Sequence, residues 1–185
     1  MTKCRAVAQT VRMDLFTNMP EYFPLMRGGG AFLALIGLGI VVGAFGGRRW
    51  RLVLLIVGAG LGIAAMAVGG ATRVIFAGLP YPAIWQWVVL GAAFAIEMLL
   101  VNIVLRKVPD VTSHAFWMWI LFIVGAHFLV LGASHGPICA VLAVACMINA
   151  LIGLRFPAVD LRVFWAVDGV LKITAGVTMV VVSYS

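Results

Sequence analysis

Six long apolar runs, at about 31–47, 50–70, 83–105, 114–133, 137–154 and 161–183, alternate with short stretches that hold most of the charge and the helix breakers. Each run is close to the roughly 20 residues that a helix needs to cross the hydrocarbon of a bilayer. The first two are joined by Arg48-Arg49-Trp50-Arg51, too short for anything but an antiparallel hairpin. Pro80 and Pro82 open the third run, where a missing N–H costs little. No Asp, Glu, Lys or Arg occurs between Val111 and Leu154, a stretch too long for one helix. Ser134-His135-Gly136-Pro137 divides it, because glycine and proline end one helix and start another.

The pattern predicts an all-α polytopic membrane protein, a bundle of six transmembrane helices forming a single domain over 31–185. Residues 1–30 form an N-terminal tail. No cleavable signal peptide is expected, since the first long run follows Arg27-Gly28-Gly29-Gly30. Within the tail, Val7, Val11 and Leu15 recur at helical spacing, which fits either a short interfacial helix or a loose terminus.

Composition agrees with the pattern. The chain is 64% apolar and 10% charged, with mean hydropathy +1.16. A soluble domain is about 45–50% apolar and about 25% charged, so an ordinary soluble enzyme or a disordered segment is excluded. The net charge of +7 does not signal nucleic acid, because the cations sit between spans. Arg48, Arg49, Arg51, Arg106, Lys107, Arg155 and Arg162 all fall in the turns after the first, third and fifth runs. Basic turns orient a membrane protein, which places those turns in the cytoplasm and both termini outside. Arg73 and the tail cations Lys3, Arg5, Arg12 and Arg27 weigh against this orientation.

Small residues indicate packing. Gly39, Gly43 and Gly47 form one ridge, and Gly58 and Gly62 another. Helices in lipid associate through close backbone approach, so these ridges imply either a tight hairpin of the first two spans or a homo-oligomer contact. Asn102, Arg106, Pro109 and Phe116-Trp117 are echoed by Asn149, Arg155, Pro157 and Phe164-Trp165 at an offset of 47 to 49 residues. That echo fits a duplicated hairpin, or two basic turns obeying one membrane rule.

Candidate chemistry is confined to a few polar residues inside the spans. These are Glu97, His127, Asn149, Asp168 and Lys172. A charge in a span costs about 2.5–3.5 kcal/mol on insertion scales and marks pathways or proton relays. Alternating span directions put Glu97, Asn149 and Asp168 in one half of the bilayer, Lys172 at the centre and His127 in the opposite half. Asp168 and Lys172 have the spacing and order of a favourable intrahelical pair, so a purely structural role competes with a functional one. Two carboxylates against one ammonium leave room for a proton or a cation.

Other motifs add little. Cys139 and Cys146 lie seven apart on one helix face and cannot bridge each other; they read as small core residues. With His135 they do not make a metal site, and His114, His127 and His135 cannot meet. The tryptophans near span ends (Trp50, Trp85, Trp87, Trp117 and Trp165) fit an interfacial belt. No hydrolase or phosphate-binding signature is present, and these motifs leave any cofactor unknown.

Three resemblances follow. Asp168-Gly-Val-Leu-Lys172-Ile-Thr-Ala-Gly176 resembles the retinal-binding helix of microbial rhodopsins, which implies a ligand on Lys172 and a counterion in Asp168. The six spans, with Trp165 and Asp168-Gly169 in the last, look like urea and amide channels, in which Lys172 has no counterpart. The set His127-Phe128, His135-Gly136, Asn149 to Gly153, Asp168-Gly169 and Lys172 resembles an uncharacterised family of small bacterial multi-pass membrane proteins, implying a bacterial inner membrane. The residues themselves imply a small transporter or channel with a midplane site of Glu97, Asp168 and Lys172 and a histidine relay or gate. A ligand-binding protein using Lys172 and a structural or accessory subunit are the alternatives.

Overall fold

The computed structural model describes residues 18–108 and 110–184. The expected interfacial helix around Val7, Val11 and Leu15, and Cys4, lie outside them. Seven α-helices and one 3-10 turn follow in order: α1 (Met19–Tyr22), α2 (Met26–Ala44), α3 (Arg48–Ala71), the 3-10 turn Val74–Phe76, α4 (Ile84–Lys107), α5 (His114–His135), α6 (Pro137–Arg155) and α7 (Leu161–Val182). No strand occurs among the described residues. The six helices from α2 to α7 are long and apolar enough to cross a membrane. In lipid a helix satisfies its own backbone polar groups, which is why apolar runs of this length fold this way.

Gly136 shows how the break between α5 and α6 works. Its φ of 96° is open to glycine and strained for other residues, and Pro137 then occupies the first turn of α6. At the other end of α5, Ser113 caps the helix by accepting from the Phe116 N–H.

The helices pack in the order α3, α2, α7, α6, α5, α4, so that α3 and α4 stand at the two ends and are the least enclosed. Helix α2 is the hub. Its most extensive contact is with α7, the last span, rather than with its sequence neighbour. Glycines set that contact. A Cβ on Gly30 would lie 2.7 Å from the Gly176 carbonyl oxygen, and one on Gly37 would lie 2.7 Å from the Gly169 carbonyl oxygen. The opposite face of α2 makes the hairpin with α3: Gly39 and Gly58 meet with a would-be Cβ of one 3.1 Å from the Cα of the other. Gly43 likewise faces Arg51, whereas a Cβ on Gly47 would meet nothing within 4 Å.

One boundary differs from the expectation. Arg27-Gly28-Gly29-Gly30 is the first turn of α2, and all four residues are buried. A charged residue before three glycines reads as a loop, yet here the guanidinium finds neutral partners inside the protein. Arg27 donates from Nε to Ser183 Oγ (3.1 Å), from Nη2 to the Ser183 carbonyl (2.7 Å) and from Nη1 to the Ala77 carbonyl (2.9 Å). It also stacks 4.0 Å from the Tyr184 ring centre. The cation thus caps the carbonyl end of α7, where the helix dipole favours positive charge.

Candidate functional site

Each inward-facing stripe follows from side-chain spacing. On α4, Gln86, Leu90, Ala93, Glu97, Leu100 and Val104 recur at three or four residues and turn toward α5. On α5, Phe116, Ile120, Ile123 and His127 form the answering stripe, while Met118, Leu121, Gly125 and Phe128 turn toward the interior. On α7, Trp165, Asp168, Lys172 and Met179 fall within one buried stripe bordered by Gly169 and Gly176. Glu97, His127, Asp168 and Lys172 are therefore directed inward by the same periodicity that builds the core.

Lys172 donates from Nζ to Asp168 Oδ2, one turn earlier. Both side chains are sealed, at 1% and 0% exposure. The ammonium also lies 5.6 Å from the centre of the Phe128 ring, whose face attracts a cation. Asp168 Oδ1 has no hydrogen bond of ordinary geometry, and the thiol of Cys146, a weak donor, approaches the Asp168 carboxyl. Across the cluster, His127 Nδ1 stands 3.7 Å from Glu97 Oε2. Lys172 acts electrostatically on both of them. Glu97 is the most accessible member, with 17% of its side chain exposed.

This arrangement corrects one expectation. Glu97 and His127 do not lie in opposite halves of the bundle but meet across the α4–α5 contact. Counting positions from span ends assumes level helices, whereas the packing of stripes sets the offset between α4 and α5. Asn149 is not drawn into the cluster: its Nδ2 donates to the Phe164 carbonyl at 2.9 Å and ties α6 to α7. The other histidines stand apart, His114 against the Gly153 carbonyl at 3.0 Å and His135 against Ser134 Oγ at 2.8 Å. Among the described residues, no three His, Cys, Asp or Glu side chains gather closely enough to hold a metal ion.

Trp165 also departs from its expected place. Trp50, Trp85 and Trp87 are exposed near helix ends, but Trp165 is enclosed at 3% exposure, edge-on to Trp117. Its Nε1 has no hydrogen-bond partner. Sequence distance from the span end suggested an interfacial ring; its place on the α7 stripe, shared with Asp168 and Lys172, was the signal for burial. Gln86 was missed as well. It accepts from the Ala83 N–H and donates to the Tyr22 carbonyl, both at 3.0 Å, joining α4 to the turn before α2.

Six membrane-length helices enclosing a charged pair make this a polytopic helical membrane protein. The chain belongs to a family of unknown function (DUF6609), which it matches over residues 17–185. No curated protein and no solved structure matches it. The likenesses to microbial rhodopsins and to urea and amide channels thus rest on the quoted residues alone.

Proposed function

We propose that the protein is a small proton-linked membrane transporter in which Glu97, His127, Lys172 and Asp168 form the proton-binding relay. The observation that carries this reading is two pairs within hydrophobic spans, Glu97 with His127 and Asp168 with Lys172, the ammonium acting electrostatically on the first pair. With all acids and the lysine ionised and His127 neutral, the cluster is one positive charge short. A proton on Glu97 balances it at the least cost, because a buried acid prefers protonation to uncompensated charge. Glu97 is the exchangeable member, as it alone retains appreciable exposure, and His127 is its immediate partner.

The sealing of Lys172 and Asp168 favours a carrier over an open channel, since a continuous pore would wet both groups. The basic end of the bundle faces the cytoplasm in this reading, following the distribution of Arg and Lys among the turns. Gly39 and Gly43, one expected basis for a homo-oligomer, are engaged with α3 of the same chain.

A structural role for the charges is the second reading, favoured by the self-neutralising Asp168–Lys172 pair. Proteoliposomes with an internal pH dye separate the two. The transporter reading expects a pH change driven by an imposed potential, lowered at least about tenfold in Glu97→Gln, the equivalent of one lost hydrogen bond to a charged group. Unchanged flux in Glu97→Gln and Asp168→Asn, with lowered thermal stability, would establish the structural role.

A further inference from the structure

The segment that joins α3 to α4 is folded back onto the bundle. Its 3-10 turn, Val74–Phe76, stands between two residues with left-handed backbone, Arg73 (φ 60°) and Gly78 (φ 73°). Ile75 enters a notch made by glycines of two helices. A Cβ on Gly69 of α3 would lie 2.6 Å from Ile75 Cγ2, and one on Gly28 of α2 would lie 3.2 Å from its Cδ1. Arg27 pins the same segment by donating to the Ala77 carbonyl at 2.9 Å. On its other side the Phe76 ring lies 5.6 Å from the Tyr81 ring. The turn is a braced wall.

A small cavity lies against that wall. Its lining includes Gly28 of α2, Met66 and Gly70 of α3, Ile75 and Phe76 of the turn, and Trp87 of α4, and is almost wholly apolar. Met66 stands five residues before the end of α3, and Trp87 three after the start of α4. The cavity is thus within about 8 Å of the helix ends, the depth of the upper part of an acyl chain. Helices α3 and α4 are the least enclosed spans, and Trp87 is itself exposed, so the bilayer borders the site from the side.

Apolar walls alone give a lipid no reason to stay, because leaving the surrounding hydrocarbon gains nothing. Arg73 supplies the attraction. It opens the turn two residues before Ile75, its side chain is exposed, and no ion pair or hydrogen bond engages its guanidinium among the described residues. The other charged residues at this end of the described chain are Glu21 and the enclosed Arg27. We infer that this cleft is a phospholipid site, in which upper methylenes of one acyl chain pack against Met66, Phe76 and Trp87 and the phosphate meets Arg73. The site stands apart from the proton relay and does not depend on it.

The test uses the full chain in detergent, titrated with a phosphatidylglycerol that carries a photoreactive diazirine in the upper half of one acyl chain. A diacylglycerol with the same chain serves as the probe without phosphate, and mass spectrometry locates the labels. Saturable labelling by the phospholipid is expected at Met66 and Trp87. It is expected to be lost in Gly70→Leu, since a Cβ there would lie 3.9 Å from Ile75 Cδ1, in ordinary contact, and the larger side chain fills the cavity. Gly60→Leu, at a glycine of α3 whose Cβ would meet nothing within 4 Å, should leave it unchanged. Arg73→Asn removes the charge and keeps a residue tolerant of left-handed backbone. Labelling should then weaken about fivefold, the scale of one basic residue at a phosphate surface, and the diacylglycerol should be weaker by the same factor. Labels spread evenly along the exposed faces of α3 and α4, or undiminished in Gly70→Leu, would overturn the site. Equal labelling by the two probes would overturn the phosphate contact and with it the assignment to a phospholipid. Should Gly70→Leu fail to fold, the distribution of labels on the unmodified chain and the comparison of the two probes decide.

Discussion

Lys172 and Asp168 form an ion pair on a single helix, one turn apart, and neither side chain reaches the surface. Such a pair contributes little as a unit but becomes costly when halved, because the remaining charge stays buried. Lys172→Met is expected to destabilise the protein by about 3–5 kcal/mol, and Asp168→Asn in the Lys172→Met background to recover most of that loss. Equilibrium unfolding in detergent checks both. Recovery of stability without recovery of proton flux would separate what the pair does for the fold from what it does for transport.

The α2–α7 contact predicts a contrast among glycines. Gly37→Ala would bring a methyl to 2.7 Å from the Gly169 carbonyl oxygen and must push two backbones apart. The expected cost is about 1–3 kcal/mol, the range for overpacking. Gly91→Ala meets nothing within 4 Å and should be neutral or gain up to about 1 kcal/mol from lower backbone entropy. Thermal melts of the two variants, measured side by side, test whether close approach or helix propensity governs.

Arg27 has a role that its place near the N-terminus conceals. Its replacement by Met leaves the carbonyls of Ser183 and Ala77 without their donor. A loss of about 3 kcal/mol is expected, with faster proteolysis at the turn of residues 74–77. Arg27→Lys should fall between the two, since an ammonium cannot reproduce the forked contact.

The turn between α4 and α5 gives a prediction about pH. Asp110 accepts from Thr112 Oγ1 and from the Thr112 N–H, and these bonds hold its carboxyl below the usual acid range. A depressed value means that the contribution to turn order is present above the ordinary value of 3.8 and lost as pH falls through the folded value. Amide-exchange protection at Thr112 should therefore decline on the acid side, and Asp110→Ala should remove that dependence.

The periodic apolar runs made five of the six long helices legible to within two residues at either end. The exception, α2, begins with a cation and three glycines whose partners are remote in the chain: Ser183 for Arg27, Ile75 for Gly28, His135 for Gly29, and Gly176 and Met179 for Gly30. No local pattern encodes such pairing. The same limit explains Glu97 and His127: their stripes were readable, but the offset between α4 and α5 is decided by how side chains from both helices interlock. Asn149 and Trp165 carry a related lesson. A polar or aromatic residue in a span announces that it needs a partner, and only the tertiary contact says whether it has one, as Asn149 does at the Phe164 carbonyl.

The partnership of α2 with α7 has a consequence for biosynthesis. The ribosome delivers α2 before α7, so the glycine face of α2 must wait in lipid, or against an insertion factor, while the four spans between them emerge. Until α7 arrives, Arg27 also lacks the carbonyl end that accepts it. The contact between α2 and α7, and with it the burial of Arg27, therefore forms only after α7 has been inserted.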